Sequence, residues 1–282
     1  MPLSMDPLAP YRQAVEEELQ RLLAAPPEAS LAPLFGMMQY HLGWVDEAFA
    51  PLAPPVTGKR LRPVLCLLTC EGAGGDWQRA VPLAAAIELI HNFSLIHDDI
   101  EDGDHFRHHR PTVWSLWGLA QGINTGDALW ALARLAPQRL TQQGYDAETV
   151  LAAIAWLDRA CLALCQGQYL DLAFEQAEMV SPEAYLRMIA GKTAALLSAC
   201  TGLGALLGGA SSQTIEAMTA FGEALGLAFQ ITDDILGIWG DPALTGKPSA
   251  SDLAARKKSL PVVYALQWEA ERGGSLLRQR YT

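Results

Sequence analysis

The chain has 282 residues, 50% of them hydrophobic and 18% charged, which is ample for one large buried core. Its formal net charge of −11 argues against a nucleic-acid partner, so any phosphate chemistry must come from local cations or bound metal. Among the cysteines, Cys66 and Cys70, like Cys161 and Cys165, stand one helical turn apart between leucines and alanines. This is not the C-x-x-C spacing of a zinc site, and they read as small core residues in a reducing, cytoplasmic setting.

No basic-then-apolar leader opens the chain. A helix is expected from about Ala9 to Ala24, halted by Pro26-Pro27, and a second from about Leu31 to Ala50, ended by Pro51, Pro54 and Pro55. Gly58-Lys59-Arg60-Leu61-Arg62-Pro63 then sets three cations at the start of an apolar helix from about Val64 to Glu71. There the free N–H groups and the helix dipole favour anions. After a glycine turn, Trp77 begins a long apolar run into Asp98. A polar bend from His105 to Arg110 follows, and Pro111-Thr112 opens a helix through Trp114 and Trp117. Alanine- and leucine-rich helices then alternate with turns at Gly144 and Pro182. From Thr193 to Ile215 no charge occurs, the length of a membrane span. Gly202, Gly204, Gly208 and Gly209 interrupt it, so it reads as a buried central helix with no second candidate beside it. A last strong helix covers about Thr214 to Trp239, and after a polar loop another runs through Leu260 and Tyr264. No alternating strand, internal repeat or linker is evident. The expected fold is all-α: one domain over residues 1–282, a large helical bundle around a central cavity.

Chemistry concentrates where local rules are broken. Asp98-Asp99-Ile100-Glu101-Asp102 closes an apolar helix before Gly103, at the negative end of its dipole. Two carboxylates about 4 Å apart repel by roughly 4 kcal/mol at an effective dielectric near 20. Asp98 and Asp102 share a face at i and i+4, and oxygen-only ligands of this kind suit magnesium. Asp233-Asp234-Ile235-Leu236-Gly237 repeats the pattern on a second helix. Cations accompany both clusters: Arg107 and Arg110 the first, Lys247, Lys257 and Lys258 the second. Inward acids on two helices would bind several cations and, through them, a polyanion. Glu88-Leu89-Ile90-His91 also matches the Glu-x-x-His of di-iron bundles, but the second such pair is missing.

From Gly58 to about Leu266 the chain resembles the trans-isoprenyl diphosphate synthases, the polyprenyl synthetase family. The resemblance rests on Gly58–Pro63, Asp98–Asp102, Arg110-Pro111-Thr112, Gly167–Leu172, Gly191-Lys192-Thr193, Gln230–Asp234, and Gly246-Lys247-Pro248 with Asp252-Leu253 and Lys257-Lys258, all in the family's order. It implies an isoprenoid-synthase-like fold, a homodimer, and condensation of an allylic diphosphate with isopentenyl diphosphate assisted by about three magnesium ions. By resemblance Asp98, Asp99, Asp102, Asp233 and Asp234 hold the metals. Arg107, Lys192 and Lys247 grip the allylic diphosphate, with Thr193 and Gln230 nearby, while Lys59, Arg62 and His91 hold isopentenyl diphosphate. Lys192 and Asp233, with the first motif, form the catalytic set.

Several positions depart from the family pattern. His108 and His109 stand where an arginine and a glycine are usual, so His108 is expected to weaken isopentenyl diphosphate binding or make it pH-dependent. Gly237 replaces the last acid of the second motif, Ala250 replaces a frequent glycine, and the chain ends about one or two helices earlier than the resemblance implies. Phe93, with Ser94, lies about one turn before Asp98. An aromatic there resembles the floor of short-chain synthases, and the expected product is geranylgeranyl diphosphate, with farnesyl diphosphate as the alternative. Two rival readings are a terpene cyclase, which has no use for Lys59–Arg62, and a non-catalytic regulatory subunit, which would not need intact aspartate motifs.

Overall fold

The computed structural model describes residues 6–24, 26, 28–241, 250–254 and 256–281. The helices are α1 (Ala9–Leu22), α2 (Ala32–His41), α3 (Leu61–Gly72), α4 (Val81–Glu101), α5 (Val113–Trp117), α6 (Leu119–Leu135), α7 (Ala147–Gln176), α8 (Pro182–Ile189), α9 (Ala195–Leu207), α10 (Ser212–Trp239), α11 (Ser251–Ala254), α12 (Leu260–Glu271) and α13 (Arg278–Tyr281). Short 3₁₀ turns lie at Ala29–Leu31, Trp77–Ala80 and Ala136–Gln143, and a π-helical turn at Ala190–Ala194 joins α8 to α9. The chain is all-α but for one hairpin of two-residue strands, β1 (Phe106–Arg107) and β2 (Arg110–Pro111), paired antiparallel. The chain gathers into two compact units: Met1–Ala155 with Cys200–Ile215, and Trp156–Ala199 with Glu216–Thr282.

In the first unit α4 is the core element. Leu83 to Leu89 and Ile96 are buried, and α1, α3 and α6 pack on it. Because apolar residues surround α4 on every side, its sequence lacks a polar stripe. Three helices are long and apolar enough to cross a membrane by length and composition, Trp77–Glu101, Ala147–Gln176 and Pro182–Leu207, where one had been expected. In the second unit the core is Val180, Tyr185, Met188, Ile189 and Val263, joined by Phe174, Leu227 and Ile231. A smaller cluster of Ile238, Val262 and Leu266 receives Leu277 and Tyr281.

Three boundaries differ from the sequence reading. The second helix stops at His41 rather than near Ala50, because Gly43 takes φ 83 and closes a Schellman end: Gly43 N donates to Tyr40 O at 2.9 Å and Trp44 N to Gln39 O at 3.0 Å. Helix α3 starts at Leu61, a turn earlier than read, since Pro63 is tolerated in a first turn. The polar bend after the first acidic motif is the β1–β2 hairpin. Its two-residue turn places His108 at φ 50 and His109 at φ 63, the type I′ geometry that normally demands Asn-Gly.

Candidate active site

In the first unit, α4 delivers its acids through a helix end whose backbone is fully capped. Gly103, at φ 68, closes a second Schellman motif: Asp104 N donates to Asp99 O at 2.8 Å and Gly103 N to Ile100 O at 3.3 Å. The last carbonyls are thereby satisfied, and the carboxylates are left to act. Asp99 is buried and Asp98 partly exposed, and one arginine spans them: Arg107 Nε donates to Asp99 Oδ1 at 2.7 Å and Nη2 to Asp98 Oδ2 at 3.3 Å. Burial pushes the Asp99 carboxyl up to about 6 despite the pull of Arg107. Asp102 is the C-cap residue and partly exposed. Upstream, Phe93 is buried with its ring edge-on to His97 at 5.3 Å, and Ser94 Oγ donates to His91 O at 2.8 Å.

A cavity of about 130 Å³ lies beside this helix, with His41, Gly58, His91, Arg107 and His108 in its wall. The three cations of the Gly58–Pro63 stretch separate sharply here. Arg60, left-handed at φ 51, is buried and spent on protein: it meets Glu88 at 2.8 Å and Glu16 at 3.1 Å. Burial opposes its charge, but those two carboxylates more than compensate and raise its pKa. Lys59 is exposed. Arg62 has no ion pair among the described residues; its Nη1 donates to His91 Nε2 at 3.1 Å, and its Nε is buried with no hydrogen-bond partner. Burial draws the Arg62 pKa down, and burial with the nearby Arg62 charge pushes His91 well below its ordinary value. His91 is therefore a neutral acceptor. A buried guanidinium with one orphaned donor has a hydrogen bond left to give, and an anion is its natural acceptor.

The second unit assembles its polar groups around a cavity of about 110 Å³ lined by Asp171, Tyr185, Lys192, Gln230, Asp233, Asp234, Asp252 and Lys257. Asp234 is buried and accepts three bonds: from the Tyr185 hydroxyl, from Gln230 Nε2 at 3.1 Å and from Leu260 N at 2.8 Å. Thr193 Oγ1 donates to Gln230 Oε1 at 2.8 Å, extending the chain of bonds to the π turn. Lys192 Nζ pairs with Asp171 Oδ2 at 2.6 Å. The π turn comes so near α7 that a Cβ on Gly167 would sit 2.1 Å from Lys192 N, so only glycine fits there. Asp233 is exposed. Gly237, the position without the motif's last acid, is occupied in space by a neighbour, since a Cβ there would lie 2.1 Å from Asp252 Oδ2. Lys247 lies outside the described residues, and Ala250 adopts φ 59.

Among the described residues no group of three or more His, Cys, Asp or Glu converges as a ready-made metal cage. The first unit offers the carboxylates of Asp98 on α4 and Asp102 at its C-cap, and the second unit offers that of Asp233 on α10. This fits magnesium, which keeps several waters and takes one or two carboxylates together with substrate phosphates.

The sequence profile described as Polyprenyl synthetase matches residues 44–282. The chain belongs to the polyprenyl synthetase family. It is 48% identical over 244 residues to the geranylgeranyl diphosphate synthase of Mycobacterium tuberculosis, covering 86% of this chain and 68% of that protein. It is 46% identical over 243 residues to the (2E,6E)-farnesyl diphosphate synthase of Mycobacterium bovis, covering 86% and 65%. The chain thus spans about two thirds of the length of the curated relatives it matches. The crystal structure of a polyprenyl synthetase from Streptomyces coelicolor superimposes with a TM-score of 0.85 at 42% identity, covering 96% of this chain and 78% of that one.

Within this polyprenyl synthetase, sequence reasoning missed four groups at the two cavities: His41, Tyr185, Asp171 and Asp252. The first lay hidden inside a helix read as too long. Tyr185 carries no charge run or motif spacing that marks it, while Asp171 stands inside the Gly167–Leu172 motif without a role having been read for it. Asp252 had a signal, standing inside a motif of the family's order, but its approach to Gly237 is visible only in three dimensions.

Proposed function

We propose that this polyprenyl synthetase joins an allylic diphosphate to isopentenyl diphosphate, head to tail and trans, with geranylgeranyl diphosphate as the main product. The observation that carries the reading is Arg62, a buried cation with an orphaned donor and no counter-ion among the described residues, whose Nη1 donates to His91 of a cavity that Arg107 also lines. In this reading Arg62, His91 and Lys59 hold the diphosphate of isopentenyl diphosphate, while Arg107 and Lys192, with Lys247, hold that of the allylic partner. Asp98, Asp102 and Asp233 hold the metal. Asp99 and Asp234 complete the expected set, and their hydrogen bonds to Arg107 and Tyr185 give them a positioning task as well. Bound magnesium, about three ions in this proposal, supplies charge neutralisation for the departing pyrophosphate. The allylic C1–O bond breaks, the isopentenyl double bond supplies the electron pair of the new C–C bond, and the adjacent carbon loses a proton. Cations held in place before the reaction stabilise the developing negative charge without reorganising.

Phe93, buried on α4 about one turn before Asp98, supports a short product, and we read it as the floor for the growing chain. Farnesyl diphosphate is the second reading, favoured by the name of the Mycobacterium bovis relative. Residues 1–282 act as one catalytic domain in this proposal. Leu119, Ile123 and Trp130 are exposed along one face of α6, and we read that row as the face a second copy covers. The cysteines are thiols rather than disulfides, which suits a reducing, cytoplasmic compartment, and the proposal includes no membrane span.

The test is incubation of the full chain with magnesium, isopentenyl diphosphate and dimethylallyl, geranyl or farnesyl diphosphate, with products dephosphorylated and separated by chromatography. Geranylgeraniol is expected. Hydrocarbon released from an allylic diphosphate alone would replace the reading with a terpene cyclase, and the absence of magnesium-dependent turnover would leave a regulatory subunit.

A further inference from the structure

The cavity beside α4 carries cations of two kinds. Its arginines are committed to protein partners. Arg60 is matched by Glu88 and Glu16, Arg107 by Asp98 and Asp99, and Arg110 donates to Tyr40 O at 3.0 Å and Val45 O at 2.8 Å while lying 4.0 Å over the Tyr40 ring. Three imidazoles share the wall: His41 from α2, His91 from α4 and His108 from the hairpin turn. His41, at the last position of α2, is partly buried, and among the described residues no hydrogen bond is made to its ring. A helix C-terminus ordinarily favours a protonated histidine. Here burial and the surrounding guanidinium groups win instead, and hold His41 down to about 3.

We propose that His41 is an anion-binding residue of this cavity: neutral in the free protein, it takes a proton from solvent as a diphosphate enters and returns it on release. The inference rests on the diphosphate-binding reading of the same cavity. Tyr40, Glu88, His91 and Asp99 line the same cavity, and the cations set around His41 are Arg60 from the loop before α3 and Arg107 and Arg110 from the hairpin, with His108 beside them. Their charges oppose an imidazolium while the cavity is empty and favour an entering anion, which reverses the balance. Each unit of negative charge about 4 Å away raises an imidazole pKa by about 3 at an effective dielectric near 20. A diphosphate bearing two or three charges is therefore sufficient to protonate His41 near neutral pH. Binding becomes proton-coupled, and affinity falls as pH rises.

Calorimetric titration of the full chain with isopentenyl diphosphate, and separately with inorganic pyrophosphate, in two buffers of different ionisation enthalpy at pH 7.5 counts the protons taken up. The wild type is expected to take up protons, and His41→Gln about one fewer. The variant's KM for isopentenyl diphosphate should rise on the order of tenfold, with a flatter dependence on pH from 6.5 to 8.5. An equal proton count in both proteins overturns the inference, even if condensation is intact. A His41-dependent proton count with pyrophosphate and no condensation product upholds the inference while the proposed reaction fails. Should His41→Gln fail to fold, histidine-labelled NMR of the wild type decides: a His41 ring that stays neutral on saturation with pyrophosphate refutes the idea, and one that becomes an imidazolium supports it.

Discussion

Replacing Tyr185 by phenylalanine removes a single oxygen and leaves a ring of the same shape in the core of the second unit. The tyrosine is 2% exposed and its hydroxyl donates to Asp234, which is 5% exposed. Burial and the neighbouring carboxylate push the hydroxyl's pKa up, so it remains a donor at every working pH. The substitution leaves a buried carboxylate with two of its three donors, Gln230 Nε2 and Leu260 N. A hydrogen bond to a charged group contributes about 1.5–3 kcal/mol, and the phenyl ring offers no replacement. An unfolding entropy of about 2.1 cal/mol/K per residue over 282 residues gives about 0.6 kcal/mol/K. Tm should therefore fall by about 2–5 °C. Because Leu260 N opens α12 and shares Asp234 with Tyr185, exchange of the amides near Leu260 should also quicken. Scanning calorimetry and hydrogen exchange measure both, and a Tyr185→Phe, Asp234→Asn double-mutant cycle should return a coupling of about 1–2 kcal/mol. A Tm within 1 °C of wild type together with zero coupling would refute the idea that this bond fixes the carboxylate.

At the hairpin, His109 sits at φ 63, a conformation that β-branched residues resist. His109→Val should cost about 1–2 kcal/mol by urea midpoint, while His109→Gly lies between neutral and about 1 kcal/mol stabilising, its relief of strain partly offset by the freer unfolded chain. Phe93→Ala should lengthen the products on chromatography and, as a buried aromatic truncation, cost about 3–5 kcal/mol, so the assay belongs at low temperature; unchanged product lengths would remove Phe93 from the floor. For His41 the sign follows from a folded pKa of about 3 beneath an unfolded value near 6.5. The native state binds fewer protons, so stability present above pH 6.5 is lost as pH falls towards 3, by about 1.4 kcal/mol per unit. Urea unfolding at pH 7.5 and 5 should accordingly show a loss smaller by about 2 kcal/mol in His41→Gln than in wild type.

What could be read from the sequence was whatever has a short period or a local break. Helix α4 announced itself by unbroken apolar residues, its end by Gly103, and the conflict of five acidic or helix-ending positions there pointed to a site. The same logic failed at α2, where apolar residues continue past His41 and only the left-handed Gly43 ends the helix. The hairpin was invisible because two-residue strands are too short to alternate. Pairings over long separations left no trace either. Tyr185 and Asp234 stand 49 residues apart in sequence, and Arg60 reaches Glu16 across 44. Nothing in Gly58–Pro63 distinguishes the arginine that is spent on carboxylates from the one that is not.

That distinction is where structure adds most to the chemistry. The resemblance set Arg60 apart from Lys59 and Arg62 without a physical reason, and the structure supplies one: the left-handed backbone at Arg60 coincides with a guanidinium enclosed by two glutamates, while Arg62 lies beside a neutral histidine. A buried cation already paired has little left to offer an anion, because the incoming charge must compete with partners that were desolvated on folding. An unpaired one has carried its desolvation cost since the chain folded, and an anion relieves it. The same argument separates Arg110, spent on two backbone carbonyls, from His41, which in the proposed reading gains charge when an anion enters. Fixed cations in this cavity therefore build the wall. The groups an entering diphosphate can use are His41 in that wall and, bonded to His91, the guanidinium of Arg62.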